Sequence, residues 1–270
     1  MTRRRTTLVA VTAAVALAAT VGVYSYASAD DTGTVPVPAA DSPAETATTE
    51  ATREPVDEPS DEPDETAMPT ADHDCGETGE YQKEVESLLD ELGGYGTVFV
   101  DGEQSQEDCD AIVAFQKRMG IQPAAGYAGD LTHRVAKRLV DSDLDKCEPG
   151  GGRVVCVDLT HQTLWVTNVG EIVYGPTVIR TGMAGGYQTT PGMHVITNKA
   201  EQEWSKPYKV WLPYWQHFYN GQGLHETTSY LHDSFGSHGC VNLLHEDAVE
   251  LFDMLKVGDT IHVFGNRPGT

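Results

Sequence analysis

The stretch Gly150-Gly151-Gly152-Arg153-Val154-Val155-Cys156-Val157-Asp158-Leu159 is where the chain changes its period. Before it, apolar residues recur every three to four positions. After it, Val155, Val157 and Leu159 alternate with Val154, Cys156 and Asp158. A period of two with β-branched side chains predicts a strand, because successive side chains leave a pleated backbone on opposite faces. Thr163 to Thr167, Ile172 to Tyr174, Val178 to Thr181, Met193 to Thr197 and Thr260 to Phe264 repeat it, with Gly or Asn turns and Thr190-Pro191-Gly192 between them. A helix is predicted near the end, with Ala248, Leu251, Phe252 and Leu255 on its buried face and Gly258 just beyond it. Residues 153–266 therefore read as a mainly β domain interrupted by one helix.

Upstream of the triple glycine the period is helical. Tyr81, Val85, Leu88, Leu89 and Leu92 share one face and Gly93-Gly94 ends it; Ile112, Phe115 and Met119 give a second face ending at Gly120. Leu131, Val135 and Leu139 give a third, with Asp130 placed to cap its start. Residues 75–147 thus form a small all-α, three-helix domain of ~65 ordered residues, near the lower limit for a core that folds unaided.

Residues 30–74 are Pro, Thr, Ala and acid, with Arg53 as their only cation. Too little apolar surface is present there to offset chain entropy, and like charges favour extension, so a disordered acidic linker is expected. A calcium-binding reading lacks the glycine turn and ligand spacing of a calcium loop. Residues 1–29 carry Arg3-Arg4-Arg5, an uncharged run from Leu8 to Val23 and Ala27-Ser28-Ala29, the order of a secretory signal peptide. The run falls short of the ~20 apolar residues that span a bilayer, so cleavage is expected over retention as a membrane anchor. A twin-arginine route would require apolar residues where Thr6 and Thr7 stand. The net charge of -23 excludes nucleic acid and anionic lipid as main partners, since both call for clustered cations.

The chain has 5 cysteines, an odd number, in an exported context that pairs what it can. Cys75, Cys109, Cys147 and Cys156 lie in or beside the helical domain, whereas Cys240 lies far downstream. Two disulfides are expected among the first four, leaving Cys240 free. Of the three connectivities, Cys147 with Cys156 and Cys75 with Cys109 are preferred.

That free thiol lies in Gly223-Leu224-His225-Glu226, then a connection, then Ser237-His238-Gly239-Cys240-Val241-Asn242. A cysteine reached through a glycine, with histidines beside it and upstream, has the makeup of a thiolate nucleophile with a base at hand. The rival reading is a zinc site built from His225, His232, His238 and Cys240. Ser229 occupies the position that would complete His-Glu-x-x-His, and the segment lacks helical periodicity, so no metal is assigned. His232 is expected to be a solvated loop residue and His245 a helix-start residue. Upstream, Trp211-Leu212-Pro213-Tyr214-Trp215-Gln216-His217-Phe218-Tyr219 is rich in rings, which serve as core or as a wall of a peptide groove.

The ordered set of His225, Ser237, His238, Gly239, Cys240 and Asn242 resembles the catalytic motif of the L,D-transpeptidases. The resemblance runs over roughly residues 153–265, through Thr190-Pro191-Gly192 to Lys256-Val257-Gly258-Asp259. It implies a β-sandwich with one helix, Cys240 as nucleophile and His225 as base, with Ser237, His238 and Gly239 shaping the site. It further implies that Gly239 and Cys240 N–H groups face an oxyanion, and that Asn242, Gly221, Asn220 and Tyr214 bind or position substrate. The partner implied is the peptidoglycan stem peptide, and carbapenem-type β-lactams are the implied inhibitors. A monomer without cofactor, exported to the cell wall space, is expected. One departure is visible: only positions 226–236 separate His225 from Ser237, which predicts a short flap.

The helical segment has its own resemblance. Val100-Asp101-Gly102, Ala111-Ile112-Val113-Ala114-Phe115-Gln116, Gly120-Ile121-Gln122-Pro123 and Gly126-Tyr127-Ala128-Gly129-Asp130-Leu131-Thr132 are similar to the three-helix peptidoglycan-binding domain over roughly residues 78–140, departing from it at Gln104 to Asp108. Docking on cell wall is what that resemblance implies. Three functions follow from the two together: a wall cross-linking transpeptidase, a carboxypeptidase or endopeptidase that resolves the same acyl-enzyme with water, or a wall-binding protein with an idle catalytic fold.

Overall fold

The computed structural model describes Cys75 and residues 77–147, 150–233 and 235–270. The predicted signal peptide and acidic linker lie outside the described residues. Three helices come first: α1 (Gln82–Leu92), α2 (Gln106–Arg118) and α3 (Asp130–Val140). They bury the expected faces, with Val85, Leu89, Ile112, Phe115, Met119, Val135 and Leu139 at 4% exposure or less. Helix α2 begins at a reciprocal capping box, Ser105 Oγ accepting from Asp108 N–H while the Asp108 carboxylate accepts from Ser105 N–H. Asp130 does not cap α3. Gly129 holds that position, and Asp130 is the first helical residue, its carboxylate paired with Arg134 at 2.9 Å.

The rest is mainly β. The strands are β1 (Arg153–Asp158), β2 (Thr163–Asn168), β3 (Glu171–Val178), β4 (Gly192–Val195), β5 (Asn198–Ser205), β6 (Val210–Tyr219), β7 (Gln222–Glu226), β8 (Val241–Leu243) and β9 (Thr260–Phe264), with helix α4 (His245–Met254) before the last. They form a five-stranded sheet in the order β3-β2-β1-β9-β4 and a four-stranded sheet in the order β5-β6-β7-β8. Pairing is antiparallel except for β1 with β9 and β7 with β8. Val155, Val157, Leu164, Ile196 and Ile261 share one core with Leu224, Val241 and Leu243 of the second sheet and with Ala248, Leu251 and Leu255 of α4.

Strand β1 is buried on both faces. Val155 and Val157 enter the main core, while Val154 and Cys156 meet Trp165 and Cys147 in a separate cluster. The Cys147–Cys156 disulfide seals that second face, and Cys75 pairs with Cys109, leaving Cys240 as the free cysteine. Both bonds join the preferred partners. The expected strand at Val178 to Thr181 is shorter: Val178 ends β3, and Arg180 instead forms an antiparallel bridge to Asn242, joining the two sheets. Strands β5 to β8 carry no clean alternation and were not predicted. The face of β5 is largely solvent-exposed, so its sequence has no apolar stripe to show.

The helices pack directly on the β region. Val178 and Leu231 belong to the helical core cluster. Arg138 donates to the carbonyls of His161, Gln162 and Ile179, and burial lowers its pKa to about 10. Arg118 reaches from α2 to Asp247 of α4 at 2.6 Å, and the same carboxylate accepts from Tyr174 Oη and from Thr177 Oγ1. Asp247 is fully buried, so removing it strands several donors at once. Asp247→Ala is expected to lower unfolding free energy by ~3 kcal/mol; a loss below ~1 kcal/mol in urea titrations would show that the junction does not depend on it.

Candidate active site

The parallel pairing of β7 with β8 sets His225 opposite Asn242, with Cys240 one residue before β8 begins. Cys240 follows a turn that its own neighbours close. Ser237 Oγ donates to Cys240 O at 2.5 Å and accepts from Gly239 N–H at 3.1 Å, and Thr189 Oγ1 donates to Gly239 O at 2.9 Å. Gly239 has φ 111°, and a Cβ there would approach Gln222 Nε2 to 3.0 Å, so the turn admits only glycine without strain. Gly239 N–H, expected from the resemblance to face an oxyanion, is taken up by Ser237 Oγ in this structure.

A cleft of about 540 Å³ opens over Cys240, lined by His225, Ser237, His238, Gly221 and Asn242 among others. Its size is that of an ordinary ligand site. Two residues assigned to substrate from the sequence lie elsewhere. Tyr214 turns toward α4, its ring 5.8 Å from Phe252 and 5.9 Å from His245. Asn220 is an exposed turn residue at φ 38° and is not part of the lining. The aromatic run divides along β6: Trp215 and Phe218 are buried, whereas Trp211 faces the cleft at 58% exposure.

The cover also differs from the expected short flap. The connection after His225 lines the cleft at Thr227, Thr228, Ser229 and Asp233 but also reaches the helices: Leu231 joins the helical core, and His232 lies 2.7 Å through Nε2 from the Met119 carbonyl. His232 is therefore not solvated, and burial lowers its pKa to about 4. What overhangs Cys240 is the tip of the β5–β6 hairpin. Tyr208 lies with its ring 4.3 Å from that of His238, and Tyr187 meets the same imidazole edge-on at 4.8 Å. Neither tyrosine was singled out in the sequence, since isolated rings in turns carry no pattern. Arg180 was missed too, although a charged residue in Val178-Ile179-Arg180-Thr181 is a signal in itself.

Arg180 is 7% exposed and fully engaged. It donates to Asn242 Oδ1 through Nε (3.2 Å) and Nη2 (3.0 Å), to Tyr230 O and Ser229 Oγ, and pairs with Asp233 at 2.5 Å. Asn242 Nδ2 then lies 3.0 Å from His225 Nε2, and His225 Nδ1 lies 2.6 Å from the Glu226 carbonyl. The hydrogen-bond partners of the His225 ring are thus Asn242 and the Glu226 carbonyl. The thiol's own hydrogen bond is a long one, 3.9 Å to the Gly221 carbonyl.

Comparison with known proteins bears on this arrangement. The model of the L,D-transpeptidase catalytic domain (YkuD) matches residues 152–263. A solved L,D-transpeptidase from Stackebrandtia nassauensis is 62% identical, at a TM-score of 0.72, over 76% of this chain and 100% of that one. This chain belongs to the L,D-transpeptidase family. It is accordingly an enzyme, a transferase acting on peptidoglycan. Two more distant structures are an L,D-transpeptidase from Mycobacterium smegmatis (23% identity, TM-score 0.38, 43% of this chain and 60% of that one) and the L,D-transpeptidase LdtMt1 in complex with imipenem (21% identity, TM-score 0.38, 43% and 60%). No curated protein matches the chain.

In this L,D-transpeptidase both partners rest neutral. Burial pushes the Cys240 thiol up to about 11, against a smaller opposing effect of a backbone hydrogen bond from Gly223. Burial lowers His225 to about 4, with the Arg180 charge acting the same way and the hydrogen bond to the Glu226 carbonyl opposing it. The proton therefore rests on sulfur at neutral pH. Alkylation of Cys240 by iodoacetamide at pH 7 is expected to be at least tenfold slower than that of free cysteine and to rise steadily to pH 10. A rate equal to that of free cysteine at pH 7 would mean that burial does not raise the thiol, and a much faster one that it is ionised at rest.

Proposed function

We propose that this L,D-transpeptidase is an exported wall cross-linking enzyme working through a Cys240 thioester. The observation that carries the proposal is the placement of the free cysteine and His225 in one cleft. Cys240 Sγ attacks the carbonyl of the third residue of a tetrapeptide stem. The S–C bond forms, the C–N bond to the terminal D-alanine breaks, and the thiol proton passes through His225 Nε2 to the leaving amine. The side-chain amine of a second stem then attacks the thioester, its proton returns through His225 to sulfur, and an amide and a free thiol result.

Each residue has a part in this scheme. With Gly239 N–H closed off, Cys240 N–H is the remaining candidate for the developing oxyanion. His225 must release the Asn242 amide to take the thiol proton, a short side-chain motion during substrate entry. Ser237 holds the turn, and His238, between two tyrosines, forms the roof with the hairpin. Gly221 contributes a carbonyl near sulfur. The three-helix segment docks the enzyme on peptidoglycan, and the N-terminal segment directs export.

Incubating sacculi with the protein, followed by muropeptide analysis, tests the proposal. New cross-links that vanish with Cys240→Ala are expected. Trimmed stems without cross-links would assign water as the acceptor, and no difference between the two proteins would refute the scheme. Imipenem, whose strained amide is an acyl donor, should add its mass to the wild-type protein and not to Cys240→Ala; absence of any adduct would overturn the thiol-acyl chemistry.

A further inference from the structure

We infer that Arg180 is a positioning residue for this site: by claiming the Asn242 side-chain oxygen it turns the Asn242 amide nitrogen onto His225 Nε2, which keeps His225 the neutral, Nδ1-protonated base. The inference rests on His225 serving as the base of the proposed reaction. Its argument begins with hydrogen-bond valence. A guanidinium only donates, so the Asn242 atom that meets both Arg180 Nε and Nη2 is the oxygen. The other Asn242 atom is then the NH2 group, 3.0 Å from His225 Nε2, and that nitrogen must present a lone pair. On the far side of the ring, Nδ1 faces a carbonyl that only accepts, so it carries the hydrogen. Donor and acceptor are thereby assigned along the whole row from Arg180 to Glu226.

Protonating His225 would place an N–H against the N–H of Asn242. The charges around the ring divide. Arg180 repels an imidazolium, and the Glu226 carboxylate attracts one, though it also lies 3.0 Å from His245 Nδ1. Asp233 is spent on Arg180, Cys240 rests as a neutral thiol, and the Trp215 ring 6.1 Å away carries no charge. Without Arg180 the Asn242 amide is free to turn over. Its oxygen would then accept from Nε2–H while the Glu226 carbonyl accepts from Nδ1–H, and the imidazolium would be bridged between two acceptors. A base that is already protonated cannot take the thiol proton.

The test is a pH titration of the full chain labelled with 15N-histidine, read by long-range 1H–15N spectra, with the His225 signal assigned by its loss in His225→Gln. Wild type is expected to show the neutral Nδ1–H form from roughly pH 5 to 8. Arg180→Met and Asn242→Asp are each expected to raise the protonation midpoint by at least one pH unit, a tenfold gain in proton affinity. Arg180→Lys, which still donates to the Asn242 oxygen, should restore the wild-type form. The acid limb of the imipenem acylation rate should move with the midpoint. An unchanged His225 signal in Arg180→Met and Asn242→Asp, even with slower acylation, would reduce Arg180 to a structural role and overturn the inference. Should Arg180→Met not fold, Asn242→Asp, which keeps the arginine, decides alone. A shifted titration in a protein that imipenem never acylates would leave Arg180 in its positioning role and remove only the thiol chemistry.

Discussion

The site depends on the parallel pairing of β7 with β8. That register brings His225 level with Asn242 and leaves Cys240 at the lip of the cleft, just before the strand begins. A slip of one residue would turn His225 to the opposite face. Two further constraints hold the register. The Arg180–Asn242 backbone bridge ties β8 to the segment leaving β3, and Leu224, Val241 and Leu243 are fully buried in the core shared by both sheets. The apolar half of each strand thus decides where the polar half points.

Burial has opposite consequences for Cys240 and His225. It raises the thiol and lowers the imidazole, so both favour their uncharged forms. The surrounding polar atoms are arranged to match. Ser237 and Thr189 hold the turn that carries Cys240, and Arg180 is saturated by acceptors within reach of its guanidinium. The same arginine holds the Tyr230 carbonyl and Asp233 in the loop whose Leu231 enters the helical core. The helical segment and the site therefore share a connection rather than a flexible tether.

Legibility from the sequence followed the amount of apolar patterning. Strands β1, β2 and β9 show in period because their faces are buried, and α1 to α4 show because each buries one stripe. The β5–β6 hairpin projects into solvent, so β5 carries no alternation, and the ring-rich part of β6 was readable only as core or wall; it is both, with Trp215 inside and Trp211 in the cleft. Tyr214 shows the limit, because facing α4 or the cleft depends on a backbone at φ 54° that no local pattern announces. His232 shows it again: its polar neighbourhood in sequence suggested solvent, but the helices cover it.

By itself the sequence determined the chemistry available: an odd cysteine reached through Ser237-His238-Gly239, an upstream histidine, four other cysteines placed to pair among themselves, and the change of period at the triple glycine. These are local properties, set by residue type and spacing. The tertiary structure alone decided which atoms meet. It placed Arg180 against Asn242 from the far side of a sheet boundary, spent Gly239 N–H on Ser237, and brought the tip of the β5–β6 hairpin over His238. Hydrogen-bond valence and burial act between segments distant in the chain, so their outcome exists only once both sheets have closed on one core.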